Sequence, residues 1–207
     1  MLHTVEHPLI AEELTRLRDP VCPSPEFRLR IRRIASLMVP AVTANMASTV
    51  VPCTTPLEIT TGTRLSRGII LVPVLRAGLG FLDGFLDLIP QASVAHIGLA
   101  RNEKTLVAEP YYLKHPPVLG EHEIIILDPM LATGGSAIEA VRALWEVGAR
   151  HVRFACLVAA PEGVAALQGT FPELEIYVAC VDRCLNERGY ILPGLGDAGD
   201  RLFGTYA

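Results

Sequence analysis

A short segment near the middle of the chain combines a carboxylate, two hydroxyl groups and two adjacent glycines. Asp128 directly follows the apolar residues 124–127, and the tetrapeptide Thr-Gly-Gly-Ser at 133–136 opens a stretch with helical spacing. Free backbone N–H groups and the dipole of a helix start favour an anion, and glycines let the backbone approach it closely. The segment predicts a site for a phosphate monoester, with Asp128 placed to accept hydrogen bonds from sugar hydroxyls or to reach a metal. The simpler alternative is that Thr133 or Ser136 only caps a helix.

Two arginines follow other apolar runs in a similar way. Arg76 comes after residues 69–74 and precedes two glycines, and Arg101 comes after residues 94–99. A guanidinium beside small residues suits an anion, although an isolated arginine is more often structural. Together with Asp128, the two arginines indicate a ribose that carries phosphate at one end and pyrophosphate at the other.

Two common nucleotide-binding motifs do not occur. The chain contains no Gly-Lys pair, which excludes a Walker-type phosphate loop. Gly78 and Gly80 begin a glycine pattern, but the next glycine is Gly84, one residue too far for the dinucleotide fingerprint.

Regular secondary structure must position these residues, and the sequence from Gly68 onward predicts it. Short apolar runs alternate with helical stretches, which predicts an α/β fold: a mainly parallel, twisted sheet with helices on both faces. Ligands bind such sheets beyond the carboxyl ends of the strands, where Arg76, Arg101 and Asp128 fall. Gly148 and Gly169 are expected to end helices. The predicted strands are 69–74, 94–99, 124–127, 152–158 and 176–181, and the predicted helices are 80–88, 137–147 and 161–167.

The two ends of the chain have a different character. Residues 11–18 and 27–38 have helical spacing, whereas residues 43–63 predict loops with at most an irregular hairpin. Residues 190–203 form a glycine-rich tail, which is either a closing loop or a set of turns. We expect one domain over 1–207, with an N-terminal helical and irregular extension (1–67), an α/β core (68–188) and a C-terminal segment (189–207).

Composition excludes several classes of protein. The chain has 207 residues, 50% of them hydrophobic, and a formal net charge of −4, which argues against general nucleic-acid binding. Residues 34–57 form the longest uncharged run, but prolines and polar residues interrupt it, so no membrane span is expected. The start lacks a secretory signal, and five cysteines without framework spacing indicate reduced thiols. We therefore expect a cytoplasmic protein.

Five segments, taken in order, resemble uracil phosphoribosyltransferases, a branch of the type I phosphoribosyltransferase fold. The likeness covers almost everything from Gly68 onward and continues weakly at the start. It implies an enzyme that transfers the phosphoribosyl group of 5-phosphoribosyl 1-diphosphate (PRPP) to N1 of uracil, giving UMP and pyrophosphate. The segments are Leu75-Arg76-Ala77-Gly78, Arg101-Asn102-Glu103, residues 128–136, Ala159-Ala160-Pro161-Glu162-Gly163 and residues 189–200.

The resemblance implies a role for individual residues. Asp128, Arg101 and Asp200 are the candidate catalytic residues, with Asp200, Asp197 or water taking the uracil N1 proton. Uracil would be read by Tyr190, Ile191, Gly196, Asp197 and Ala198. Mg²⁺ would sit mainly on the pyrophosphate, without a dedicated protein cage. PRPP would be held by Arg76, Arg101, Asp128, Pro129, Met130, Leu131, Ala132, Thr133, Gly134, Gly135, Ser136 and Asp197.

The resemblance also implies a homo-oligomer, a dimer or tetramer, and a GTP effector. The N-terminal part departs from the family at Pro40-Ala41-Val42 and Cys22, which bears on subunit contacts and nucleotide activation. Two alternatives stay open at this point. One is a nucleotide-sensing, RNA-binding regulator on the same fold, and the other is a phosphoribosyltransferase for a different base.

Overall fold

The structure is a computed structural model that describes residues 1–101 and 108–205, without the side chains of Arg101 and Ala108. Its elements follow one another as β1 (Leu2–Thr4), α1 (Pro8–Arg18), α2 (Ser24–Thr43), β2 (Ser48–Thr54), β3 (Ile59–Leu65), β4 (Ile69–Leu75), α3 (Leu79–Leu88), β5 (Ser93–Val94), β6 (His96–Arg101), β7 (Ala108–Lys114), β8 (Glu123–Leu127), β9 (Met130–Leu131), α4 (Gly135–Glu146), β10 (His151–Ala159), α5 (Pro161–Thr170), β11 (Glu175–Val181), β12 (Cys184–Leu185), β13 (Ile191–Leu192) and α6 (Ala198–Phe203).

The central sheet is almost entirely parallel, as the sequence predicted. Its strand order is β1-β11-β10-β8-β4-β6-β7, with β5 beside β4 and β9 beside β10. Only the pairing of β6 with β7 is antiparallel among the described strands of this sheet. Every residue of β8 is buried, because helices cover both faces of the sheet. Because β4 and β8 pair in parallel, their carboxyl ends lie side by side at one edge of the sheet.

Alternate residues of the central strands enter two hydrophobic layers. Ile125 and Leu127 pack with α1, α2 and α3 on one face, and Ile124 and Ile126 pack with α4 and α5 on the other. The helix α2 contributes Phe27, Ile31, Ile34 and Met38 to the first layer, all fully buried. The N-terminal part thus packs directly on the sheet.

Several local predictions need correction. The first two helices are longer than predicted, beginning at Pro8 and Ser24. The predicted loops at 43–63 form a regular hairpin in which seven residues of β2 pair with seven of β3. Gly148, at φ 96°, follows α4 as expected, but Gly169 lies inside α5. The strands β1 and β7 and the helix α6 were missed.

The described ranges were also searched for a helix that could cross a bilayer. None of the helices in 1–101 and 108–205 is long and apolar enough to do so.

Two glycines of α5 allow a matched test of its packing. A Cβ on Gly163 would lie 2.3 Å from the carbonyl oxygen of Ala132, whereas a Cβ on Gly169 would meet nothing within 4 Å. We expect Gly163→Ala to lower the free energy of unfolding by about 1–3 kcal/mol, because the backbone must shift. We expect Gly169→Ala to raise it by up to about 1 kcal/mol, because alanine favours the helix. Urea titration measures both, and equal midpoints would contradict the packing described.

Candidate functional site

Residues 128–136, the segment predicted to bind a phosphate, are called the phosphate-type loop. They lie where the sequence predicted, from the end of β8 to the start of α4. Asp128 follows β8 directly, and β9 then pairs in parallel with β10. Gly134 precedes the helix with φ 86°, a left-handed conformation that favours glycine. The first turn of α4 leaves backbone N–H groups without partners inside the helix, so they are available to an anion.

Asp128 is the buried carboxylate of this loop. Its Oδ1 accepts a hydrogen bond from the backbone N–H of Met130 at 3.2 Å. Burial raises its pKa to about 7, and the hydrogen bond from Met130 only partly opposes this. Burial also raises the pKa of the nearby Cys156 thiol well above its ordinary value, and the charge of Asp128 adds to that shift. Near neutral pH, Asp128 therefore exists in both protonation states, and hydrogen-bond donors such as ribose hydroxyls would favour the ionised one.

One cavity of about 300 Å³ joins this loop to the C-terminal tail. Segments far apart in sequence meet there, so the phosphate-type loop faces the segment predicted to read a base. Ala77, the neighbour of Arg76, also lines it. The predicted residues along its wall are Asp128, Met130, Leu131, Ala132, Thr133, Gly134, Gly135, Ser136, Tyr190, Ile191, Gly196, Asp197 and Ala198.

Other predicted residues lie beside the cavity or outside the described part. Pro129 and Asp200 are not among its lining residues. Arg76 follows a cis peptide bond and directs its guanidinium to the tail, with Nη2 3.2 Å from Oδ1 of Asp200. The backbone of Arg101 ends β6, whereas its side chain falls outside the description. Asn102 and Glu103 lie outside the described residues altogether.

The candidate proton acceptor Asp200 is engaged in the structure. Its Oδ1 accepts from Arg76 and also from the Thr205 hydroxyl, at 2.7 Å. Arg76 Nη1 lies 3.3 Å from that same hydroxyl oxygen. Arg76 therefore connects the end of β4 to the tail.

The tail is more regular than its glycine content indicates. Asp197 caps α6 by accepting a hydrogen bond from the Asp200 N–H at 2.9 Å. Gly194 and Gly196 have φ values of 61° and 80° and turn the chain toward that helix. The glycines thus serve turns around a short helix, and the sequence prediction missed this helix.

Three residues that hold the tail from outside the cavity were not predicted as functional. Arg18, Asp182 and Arg201 make hydrogen bonds to its backbone or to residues that support it. The partners Arg18 and Asp182 are 164 residues apart, so no local pattern could have paired them.

The described carboxylates around the cavity suit a magnesium ion that is held mainly by its ligand. Within 1–101 and 108–205, no group of three or more His, Cys, Asp or Glu side chains could hold a metal. Asp128 and Asp197 line the cavity. Mg²⁺ is commonly bound by one or two carboxylates together with substrate phosphates, so this donor set fits.

Solved structures with the same fold define the class. An orotate phosphoribosyltransferase of Mycobacterium tuberculosis, in complex with PRPP, has a TM-score of 0.54 and 16% identity, covering 86% of this chain and 95% of its own. A hypoxanthine-guanine phosphoribosyltransferase of Bacillus anthracis has a TM-score of 0.53 and 11% identity, covering 77% and 80%. The fold is therefore that of the type I phosphoribosyltransferases, which confirms the α/β prediction.

Proteins with similar sequences narrow this class to one family. The family model "Uracil phosphoribosyltransferase" matches residues 4–205. Uracil phosphoribosyltransferases of Ligilactobacillus salivarius and Polaromonas naphthalenivorans are 52% and 49% identical, covering 97% and 99% of this chain and 97% and 98% of their own. The AQ2163 protein of Aquifex aeolicus has a TM-score of 0.93 and 36% identity over 100% of both chains. The chain belongs to the uracil phosphoribosyltransferase family and is an enzyme, which confirms the resemblance.

The raised pKa of Asp128 predicts a pH-dependent stability. The unfolded chain loses this proton near the ordinary value of 3.8, whereas the folded chain keeps it up to about 7. The wild-type free energy of unfolding should therefore fall relative to Asp128→Asn as pH rises from 4 to 8, by a few kcal/mol in order of magnitude. Urea titrations across this range measure the difference.

Asp87→Asn is the matched control, because the guanidinium of Arg32 lowers the pKa of the exposed Asp87. The free energy of unfolding of wild type should not fall relative to Asp87→Asn as pH rises from 4 to 8. A constant difference between wild type and Asp128→Asn across the range would contradict the raised pKa.

Proposed function

We propose that the cavity transfers the phosphoribosyl group of PRPP to N1 of uracil, forming UMP and releasing pyrophosphate. The observation that carries this proposal is the meeting of the phosphate-type loop and the base-reading tail in one cavity. A transferase must hold donor and acceptor together, because orientation removes much of the entropic barrier to a reaction between two molecules. Family membership supports uracil as the acceptor.

The donor end of the cavity suits the 5′-phosphate and ribose. The N–H groups at the start of α4 and the hydroxyls of Thr133 and Ser136 bind the phosphate. Asp128 holds the ribose hydroxyls, and its ionised form stabilises positive charge on the ring. We propose that the bond to pyrophosphate breaks well ahead of attack, which gives the ribose oxocarbenium character.

The departing pyrophosphate needs positive charge and hydrogen-bond donors. We propose that two arginines supply them: Arg76, which follows β4, and Arg101, whose backbone ends β6. Mg²⁺, when bound, neutralises charge on the pyrophosphate, and Asp197 is the tail carboxylate within the cavity that suits it. Preorganised donors of this kind commonly provide the largest part of the rate enhancement.

The acceptor end reads uracil through the tail. Tyr190 and Ile191 form one side of the pocket, and backbone groups of Gly196, Asp197 and Ala198 meet the polar edge of the base. The N1 proton leaves to Asp200, Asp197 or water. The engagement of Asp200 by Arg76 favours a positioning role for that carboxylate in the free protein.

A coupled assay with uracil, PRPP and Mg²⁺ tests this proposal. We expect UMP, and we expect uracil to outcompete hypoxanthine and orotate. Arg76→Ala should lower kcat/KM by about 10²–10³, the usual effect of removing one preorganised donor. Arg142→Ala, which removes an exposed arginine paired with Glu139, is the control and should retain wild-type activity.

Failure of pure, folded wild-type protein to form UMP would overturn the assignment. Preference for another base would move the protein to a different branch of the phosphoribosyltransferases. Wild-type activity in Arg76→Ala would remove the proposed role of that side chain.

We further propose that the chain acts as one domain, in the cytoplasm, as a homo-oligomer. The hairpin β2–β3 supports the oligomer, because an isolated two-stranded hairpin is only marginally stable in water. Val50 and Ile59 are 75% and 77% exposed and lie on the same face of it. A second copy of the chain would bury that face. We also propose that GTP is an effector, and a higher rate of UMP formation on adding GTP to the same assay would support this.

Light scattering tests the oligomer. At micromolar concentration we expect at least twice the mass of one chain. We expect Ile59→Asp to lower that mass, because it places a charge on the apolar face. Thr60→Asp, on the opposite face of the same strand, is the control. A monomeric wild-type protein would contradict the proposal.

A further inference from the structure

The segment that meets the base has little regular structure of its own. The strand β13 ends at Leu192 and pairs only with the two residues of β12 among the described strands. The chain then turns through Gly194 and Gly196, both at positive φ, before α6 begins at Ala198. Its position therefore depends on contacts made from outside the segment.

Asp182 makes one of these contacts. It follows β11, and only 4% of its side chain is exposed. Its Oδ2 accepts a hydrogen bond from the N–H of Gly194 at 2.9 Å. Its Oδ1 accepts one from Nη2 of Arg18 at 2.7 Å. Burial alone would raise the pKa of Asp182, but the hydrogen bonds from Arg18 and Gly194 hold it below its ordinary value. The carboxylate is thus ionised and fully engaged.

Arg18 completes a closed set of hydrogen bonds. As the last residue of α1, it donates from Nη1 to Oδ2 of Asp182 at 2.8 Å and to the carbonyl oxygen of Gly194 at 2.7 Å. Both backbone polar groups of Gly194 therefore bind this ion pair. A partly buried, bidentate pair of this kind holds its partners in one geometry.

Arg201 supports the same region from α6. It is buried and donates to the carbonyl oxygens of Leu195, Leu17 and Asp19, each at 2.6 Å. Its guanidinium also lies 4.4 Å from the ring centre of Phe27. The end of α1 is thus tied to both residues that precede Gly196.

We propose that Arg18 and Asp182 are positioning residues for uracil: by fixing Gly194, they set the backbone of residues 196–198 that reads the base. The inference rests on the proposed function. Among the described residues that line the 300 Å³ cavity, neither Arg18 nor Asp182 occurs, so they act through the tail. The phosphate-type loop does not depend on them, because it is held by β8, β9 and β10. Their loss should weaken the use of uracil more than the use of PRPP, because Asp197 is the one tail residue assigned to PRPP.

Steady-state kinetics of Arg18→Ala, Asp182→Asn and Arg18→Lys test the proposal. We expect KM for uracil to rise about tenfold in Arg18→Ala, because charge-assisted hydrogen bonds to Gly194 and Asp182 are lost. KM for PRPP should rise less, by no more than about twofold, because most of the residues assigned to PRPP lie in the loop 128–136, which these variants leave untouched. Arg18→Lys should recover part of the uracil affinity, because one ammonium reaches fewer acceptors than the guanidinium fork. It also serves as the milder variant if Arg18→Ala does not fold.

Arg16→Ala is the matched control. Arg16 lies on the same helix, is exposed, and pairs only with Glu12 one turn earlier among the described contacts. Its KM values for both substrates should equal those of wild type. Equal rises in both KM values for Arg18→Ala, or no rise at all, would overturn the positioning role.

Hydrogen exchange separates this proposal from the proposed function. In Arg18→Ala, the amides of residues 194–198 should exchange faster while those of α4 keep their wild-type rates. If the wild type forms no UMP but this local change occurs, the proposed function is wrong, whereas the stabilisation of residues 194–198 by Arg18 is confirmed. If the exchange of 194–198 is unchanged, the proposal fails whatever the activity.

Discussion

Burial of the central strands on both faces is the constraint on which the site depends. Since β4, β8 and β10 have no exposed face, polar groups on these strands can meet a ligand only at the strand ends. The end of β8 delivers Asp128, and the start of α4 lies seven residues later. The loop between them is held by the pairing of β9 with β10, so the anion-binding N–H groups have a rigid base.

The same burial controls the charge of the site. An acidic chain with a net charge of −4 has to accept a substrate that carries a phosphate and a pyrophosphate. If PRPP binds at this cavity as proposed, a buried Asp128 with a pKa of about 7 is partly neutral when PRPP arrives, which reduces repulsion. In the proposed function, the guanidinium of Arg76 and the N–H groups at the start of α4 supply the attraction that the net charge of the chain does not.

The C-terminal tail, on the other side of the cavity, is held by different contacts. The tail has no place in the main sheet, and ion pairs and arginine-to-carbonyl hydrogen bonds hold it against α1 and β11. These contacts make α1 a support of the segment proposed to bind uracil, because Arg18 at its end donates directly to the carbonyl oxygen of Gly194. The proposed PRPP end of the cavity is therefore held by the sheet, and the proposed uracil end by the first and last parts of the chain.

Features that depend on neighbouring residues could be predicted from the amino-acid sequence alone. Continuous apolar runs defined the strands, and the pattern from Asp128 to Ser136 defined the phosphate-type loop, because strand end, turn and helix start are local features. The regular hairpin, α6 and the contacts that hold the tail became visible only in the folded chain. A glycine-rich tail does not reveal which turns it makes, and the Arg18–Asp182 pair joins residues 164 apart. Such contacts arise only when burial brings distant polar groups together and removes water as their partner.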